Sequence, residues 1–419
     1  MFTNITLKNF RSHKDSSISL DALTLLIGAN NSGKSNFLSG LHYFSRLVSL
    51  ANPSKVDNTE DMYELRSNNY YPNKHSLAND DEPILFSCVW QQQDFKIFYE
   101  INLFPDKSDS KSILCTEKIL FNDRDEISQG FDKKTSKLLL RRILEENSNK
   151  PINRNVVNFF RDLASFHYYN FQPTFLKSLG IALIYQEGRP IPQKKKDYIR
   201  DFREKRKTPF IPMELGREGS NLQELLKFIK EYDEETYNRF IGYLKRFVKN
   251  FNGLLIKDDE LKWQFDMGGS NFPYYEPEKI SDGMVKAAAV ALLCSLRHKP
   301  SLIMIEEVEN GINQRKLSEF LSWLVDTSDE AQKTQFILTS HSPSVIREFS
   351  DKLDCVYNVH LRERDYVSKL TNLNDAIKPL VDMGTVEEDR IIKRKGKNVV
   401  IIKPYNLTEL FYNGVLGEL

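Results

Sequence analysis

Gly28-Ala29-Asn30-Asn31-Ser32-Gly33-Lys34-Ser35 decides the fold of this chain. The string fits GxxxxGK[ST], and its flanks suit it. The apolar run Leu23 to Ile27 reads as a buried strand, and Phe37, Leu38, Leu41, Phe44 and Leu47 recur afterwards at helical spacing. Glycines let the backbone curl so that its N–H groups face phosphate oxygens. Lys34 would reach the β- and γ-phosphates of a nucleotide, and the Ser35 hydroxyl would bind Mg²⁺. The following helix adds the positive end of its dipole. Asn31, Ser32, Gly33, Lys34, Ser35 and Asn36 are the candidate nucleotide contacts. Chance alone yields such a string in roughly 1% of chains this long, and the flanking strand and helix lower that further.

Downstream, Leu302-Ile303-Met304-Ile305-Glu306-Glu307 reads as an apolar strand ending in two carboxylates. Neighbours on a strand point to opposite faces, so the two acids can serve different parts of one pocket. Glu306 would hold Mg²⁺, directly or through water, and Glu307 would orient and deprotonate an attacking water. A second apolar strand, Phe336-Ile337-Leu338, leads into Thr339-Ser340-His341-Ser342-Pro343, where His341 fits a γ-phosphate sensor. Ahead of both, Ile280-Ser281-Asp282-Gly283-Met284 opens a helix, with Ser281 a good N-cap and Gly283 allowing close approach to a ligand.

The chain has 419 residues, 40% hydrophobic and 28% charged, which is ordinary globular composition. Its 59 Lys and Arg nearly balance 58 Asp and Glu, so any basic surface must be local. The cysteines Cys88, Cys115, Cys294 and Cys355 show no CxxC pair, which argues against a zinc site or disulfide framework and for a reducing compartment. MFTNITLKNFRSH lacks a signal-peptide core, and no run approaches the roughly 18 apolar residues of a membrane helix. A cytoplasmic protein without membrane contact is expected.

Four segments are expected: an N-terminal lobe at 1–133, a helical insertion at 134–252, a C-terminal lobe at 253–362 and an extension at 363–419. PILFSCVW, FKIFYEINLF and SILCTEKILF read as strands of a β-rich face beside the first lobe. Helix and strand alternate over 280–361, which implies a mainly parallel sheet covered on its faces. The stretch QKKKDYIRDFREKRK, with its basic residues from Lys194 to Lys207, is interspersed with acids. It reads either as a solvated amphipathic helix or as a phosphate-backbone contact.

LKNFRSHKD, LIGANNSGKSNFL, LGREGSNLQELL, ISDGMVKAAAVALL, LIMIEEVENGI and ILTSHSPSVI, in this order, resemble the ABC ATPase heads of the SMC, RecF and overcoming-lysogenization-defect group. Within it, the chain is most similar to the stand-alone AAA-type ATPases of bacterial defence loci. The resemblance implies an α/β P-loop ABC-type head with a β-rich first lobe and a helical insertion between Walker A and signature motifs. It implies a Mg²⁺-dependent ATPase working as a head-to-tail dimer, or a higher oligomer of itself, around ATP. In that arrangement Arg11 contacts the nucleotide, and Ser281 and Gly283 reach the γ-phosphate bound to the opposite subunit. Asn310 and Gly311 form the loop that links the sites.

The sequence departs from the group in having Glu306 for the usual Asp and Val308 for the usual proline. Gln172 is the candidate metal-binding glutamine of the Q-loop, with Gln91 to Gln93 as competitors. About 245 residues separate Lys34 from Ser281, too many for a transporter head, and no heptad tract supports an SMC arm. Only about 75 residues follow the SHSP strand, too few for a Toprim nuclease. The expectation is a sensor ATPase of an anti-phage system that controls a separate effector protein. The alternatives are a RecF-like repair ATPase bound to duplex DNA, and a scaffold that binds ATP for assembly and barely hydrolyses it.

Overall fold

The computed structural model describes residues 1–49, 74–79, 81–105, 113–123, 125–130, 143, 154–178, 185–186, 189–190, 214–258, 260–268, 272–330, 333–362, 364–394 and 396–412. The basic stretch Lys194 to Lys207 lies outside the described residues. The chain forms two compact units that interleave in sequence. One comprises Met1–Tyr168, Pro300–Met304 and Ser328–Leu419, and the other Tyr169–Lys299 and Ile305–Thr327.

The first unit is built on two six-stranded sheets. The antiparallel one has the order β2-β1-β4-β5-β6-β7. Its strands are β1 (Phe2–Phe10), β2 (His13–Ser19), β4 (Ile84–Gln92), β5 (Phe95–Pro105), β6 (Ile113–Phe121) and β7 (Asp125–Gly130). Alternation decides its buried face: Ile5 and Leu7 on β1, Phe86, Cys88 and Trp90 on β4, and Ile97, Tyr99 and Ile101 on β5 are all buried. The strands expected from PILFSCVW, FKIFYEINLF and SILCTEKILF are β4, β5 and β6.

The second sheet has the order β17-β16-β3-β15-β14-β8. Its strands are β3 (Leu23–Ile27), β8 (Phe166–Tyr169), β14 (Leu302–Ile305), β15 (Gln335–Ser340), β16 (Val356–Arg362) and β17 (Val367–Asn372). β3, β14 and β15 are buried at every residue, as befits central strands covered on both faces. β15 and β16 both run parallel to β3, and β17 closes the edge antiparallel to β16. The expected mainly parallel arrangement is thus present around β3. The segment expected as a C-terminal extension supplies β17, the hairpin β18 (Arg390–Arg394) with β19 (Lys397–Ile401), and further helices.

Helix α1 (Lys34–Ser49) turns Phe37, Leu38, Leu41, Phe44 and Val48 into one hydrophobic cluster with residues of both sheets. Phe44 stacks on Phe86 at 5.3 Å and on Tyr99 at 5.9 Å, nearly parallel to each. Full burial of each such side chain contributes roughly 1.5–3 kcal/mol. Gly40 permits the approach, because a Cβ there would lie 2.7 Å from the Leu7 side chain. Helix α2 (Arg154–Leu163) adds Phe159 edge-on to Trp90 and Tyr99. The Gln335 side chain exchanges two 2.8 Å hydrogen bonds with the Phe2 backbone, tying the start of β15 to β1.

The second unit is mainly helical. A short helix α3 (Pro173–Leu176) and a two-residue hairpin, β9 (Tyr185–Gln186) with β10 (Arg189–Pro190), precede α4 (Leu222–Tyr232) and α5 (Glu234–Phe247). Asp233 caps α5 by accepting from Thr236 N. A small antiparallel sheet follows, β11 (Phe251–Lys257), β12 (Glu260–Phe265) and β13 (Tyr274–Tyr275). Helix α6 (Asp282–Ser295) is buried at every residue from Met284 to Ser295, so it is apolar nearly all round. Trp323 on α7 (Leu317–Asp329) packs against Tyr243 and Phe247 of α5.

Candidate functional site

In the first unit, the loop after β3 is curled and braced from outside its bend. Gly28 has φ +148°, Gly33 φ +110° and Asn31 φ 66°. A Cβ on Gly28 would lie 2.1 Å from the Val359 carbonyl oxygen, and one on Gly33 would lie 2.2 Å from Ser368 Oγ. Both positions therefore demand glycine. The Ser368 hydroxyl donates to the Ser32 carbonyl at 2.7 Å, and Ser368 itself is anchored by its N–H to the Ser12 carbonyl. Buried His13 lies between Ser16 Oγ, 2.8 Å from Nδ1, and the Gly33 carbonyl, 2.9 Å from Nε2. In a trans peptide the carbonyl and the next N–H point opposite ways. Fixing the carbonyls of Ser32 and Gly33 therefore aims the N–H groups of Gly33 and Lys34 to the other side, where an anion can accept from them.

Lys34 Nζ donates to the Gly28 and Ala29 carbonyls, 2.8 Å each, so its ammonium lies on the loop. Ser35, in the first turn of α1, is exposed. Asn36 Nδ2 donates to Ser12 Oγ, and exposed Arg11, at φ 50°, donates to Asn36 Oδ1 at 3.3 Å. Ser340 pairs with Ile27, so exposed His341 and Gly28 leave neighbouring strand ends at the same level. Arg11, Asn31 to Asn36 and His341 thus share the first unit. A curled backbone, a lysine ammonium and an exposed hydroxyl at a helix start fit a triphosphate with its metal.

His13 and Ser368 were not among the residues expected from sequence. Histidine 13 sits inside the LKNFRSHKD stretch, yet nothing in the spacing separates it from an exposed polar residue. Ser368 lies 335 positions after Gly33 and carries no local signal. Burial is the main force holding the His13 pKa down, to about 4, against the Gly33 hydrogen bond that raises it.

The second unit carries Gln172, Ser281, Gly283, Glu306 and Glu307. β14 ends at Ile305, so strand alternation does not govern the two acids as expected. Glu306 is buried, with its N–H donated to the Tyr169 carbonyl at 2.9 Å. Glu307 turns into the left-handed region at φ 43°. Its carbonyl accepts from Asn310 N at 2.9 Å and from Lys286 Nζ at 2.5 Å. Gln172 opens α3, is exposed, and bonds Asn170 Oδ1 through Nε2 at 3.1 Å. Its competitors Gln91 to Gln93 are exposed at the β4–β5 hairpin of the first unit.

Ser281 stands at the N-cap position of α6, but its hydroxyl makes no capping hydrogen bond, contrary to the simple capping role expected. The side chain is exposed beside Asp282, whose carboxylate pairs with Lys177 Nζ at 2.6 Å. Gly283 faces the turn that follows Glu307: a Cβ there would lie 2.2 Å from the Gly311 carbonyl oxygen. Lys286, one turn on, is buried, which lowers its pKa to about 8 against the pull of Glu309 and Glu307.

A braced, lysine-bearing loop between a buried strand and a helix defines a P-loop nucleotide-binding protein. The chain belongs to the family described as "AAA domain, putative AbiEii toxin, Type IV TA system", which matches residues 23–347. This membership bears out the resemblance to AAA-type P-loop ATPases that the motifs carry. Similar solved structures include the Smc head bound to the C-winged helix domain of ScpA, at 13% identity and a TM-score of 0.45, covering 90% of this chain and 99% of that one. The SMC head domain from Thermotoga maritima matches at 14% identity and 0.36, covering 88% and 98%. The Smc head from Pyrococcus furiosus with an extended coiled coil, bound to the C-terminal domain of ScpA, matches at 13% and 0.40, covering 91% and 99%. No curated relative matches the sequence. Among the described residues no helix is long and apolar enough to cross a membrane.

Two outcomes follow from this geometry. Below pH 6.5 the unfolded chain takes up a proton that folded His13 refuses until about pH 4, so stability is lost as pH falls through that window. The loss reaches on the order of 3 kcal/mol. Urea midpoints between pH 7 and 4 should fall less steeply in His13→Asn than in the wild type; equal slopes would contradict the assignment. Gly283→Ala must displace the Gly311 backbone, and should destabilise by about 1–3 kcal/mol. An unchanged denaturation midpoint would show that the two segments are not in register.

Proposed function

We propose that the chain hydrolyses ATP with Mg²⁺, and that the braced loop with Lys34 lying on it is the observation that carries this reading. Lys34 and the loop amides hold the β- and γ-phosphates, with Arg11, Asn31, Ser32, Gly33 and Asn36 around them. Ser35, Glu306 and Gln172 are the groups that would hold Mg²⁺, which when bound neutralises charge on the phosphate oxygens. Glu307 takes a proton from the attacking water as the new P–O bond forms and ADP leaves, and His341 senses the γ-phosphate.

Ser281 and Gly283 act on the nucleotide of a second copy. Two points support this. The Ser281 hydroxyl is exposed and not spent on capping its own helix, and the start of a helix suits an anion. The working form is then a head-to-tail dimer.

In the cell, we read the protein as the ATP-driven sensor of an anti-phage system acting on a separate effector. The family description, which names a putative toxin of a type IV toxin–antitoxin system, supports a defence role over housekeeping repair. Duplex-DNA binding of the RecF kind rests on Lys194 to Lys207, outside the described residues.

Glu307→Gln should bind a fluorescent ATP analogue within about threefold of wild type while phosphate release slows about 10²- to 10⁴-fold. Wild-type turnover in this variant, with intact binding, would remove Glu307 as the base.

A further inference from the structure

Helix α6 offers an anomaly. Its neighbours at Val285, Ala287, Ala288, Ala289 and Val290 are fully buried and apolar, yet Lys286 sits among them at 3% exposure. Burying an ammonium is costly unless hydrogen bonds satisfy it. An alanine or leucine would fill a helix position of this kind without that cost. The lysine therefore does something an apolar residue cannot.

What it does is visible at its tip. Nζ donates to the Glu307 carbonyl at 2.5 Å, and the same oxygen accepts from Asn310 N at 2.9 Å. A carbonyl has two lone pairs, and here both are used, so the peptide plane after Glu307 is fixed from two directions. Glu307 needs such fixing. A non-glycine residue at φ 43° is strained and persists only where its surroundings hold it. One turn earlier on the same helix, Gly283 abuts the Gly311 carbonyl closely enough to exclude a Cβ. The helix thus grips the 307–311 turn at both ends.

We propose that Lys286 is a positioning residue: its ammonium holds the Glu307 backbone in the left-handed turn that aims the Glu307 carboxylate. It also ties that turn to the helix that opens with Ser281. This rests on the reading of Glu307 as the base that activates water. It adds that one helix serves both the cap offered to a neighbouring subunit and the base of its own subunit. A displacement of α6 on engaging a second copy is then felt at Glu307 through the amine.

A double-mutant cycle tests this. Lys286→Met keeps chain length and removes the donor; Lys286→Arg keeps a donor. Single-turnover hydrolysis of radiolabelled ATP, counted per bound nucleotide so that any unfolded fraction drops out, is measured in wild-type and Glu307→Gln backgrounds. In the wild-type background Lys286→Met should slow hydrolysis about 10- to 100-fold with ATP affinity changed less than about threefold, and Lys286→Arg should recover part of the loss. In the Glu307→Gln background Lys286→Met should add less than about twofold, because the carboxylate it positions is already gone. Equal losses in both backgrounds, or no loss in the first, would overturn the proposal while leaving Glu307 as the base. Full turnover of Glu307→Gln alone sinks both readings and so separates the two failures.

Discussion

Everything at the nucleotide end of the first unit depends on the peptide planes of Ser32 and Gly33 being held from outside the loop. Gly28 and Gly33 let the chain enter φ values near +148° and +110°, but permission is not rigidity. Rigidity comes from Ser368 on β17 and His13 on β2, each bonded to one loop carbonyl. β17 is remote from the loop in sequence, and this edge strand reaches it through β16, which lies parallel to β3. A hydroxyl from the mixed sheet and an imidazole from the antiparallel sheet thus each fix one peptide plane of the loop. An anion-binding loop prepared in this way loses little conformational freedom when phosphate arrives, which is where preorganisation gains affinity.

The second unit solves a different problem with the same means. Glu307 leaves its strand through a costly backbone conformation, and the buried α6 supports it through Lys286 and Gly283. If Glu307 is the base proposed above, strain of this kind suits a site needing one fixed carboxylate direction. The Ser281 hydroxyl at the start of the same helix is exposed, so one element presents an outward group and steadies the turn after β14.

Much of this was legible in the sequence because local pattern carried it. The run Leu23 to Ile27, the string through Ser35 and the periodic apolar residues of α1 are contiguous, so strand, loop and helix could be read from spacing alone. The strands β4 to β6 announced themselves by alternation. What escaped were side chains whose roles are set by distant contacts. Ser368 looks like any serine in a polar stretch, and His13 like any exposed histidine, until the sheets bring them to the loop. Lys286 interrupts an apolar helix in a way that reads as a solvent-facing residue, although it is buried. The pair Glu306 and Glu307 was found, but strand alternation gave the wrong reason for their divergence, since the strand stops at Ile305 and a left-handed turn follows.

The central claim is that each ATP is shared: one subunit grips its phosphates with Lys34 and another closes over them with Ser281. Mixing two inactive variants measures this directly. Lys34→Ala removes the grip and Ser281→Arg blocks the cap, so each homodimer has two damaged sites and should be nearly inactive. With free exchange of an equal mixture, half the dimers are mixed and each holds one intact site, so activity should recover to up to about a quarter of wild type. Two variants of the same class, mixed likewise, should recover nothing. Full ATPase activity of Ser281→Arg on its own, or no recovery in the complementary mixture despite demonstrated exchange, would contradict the account.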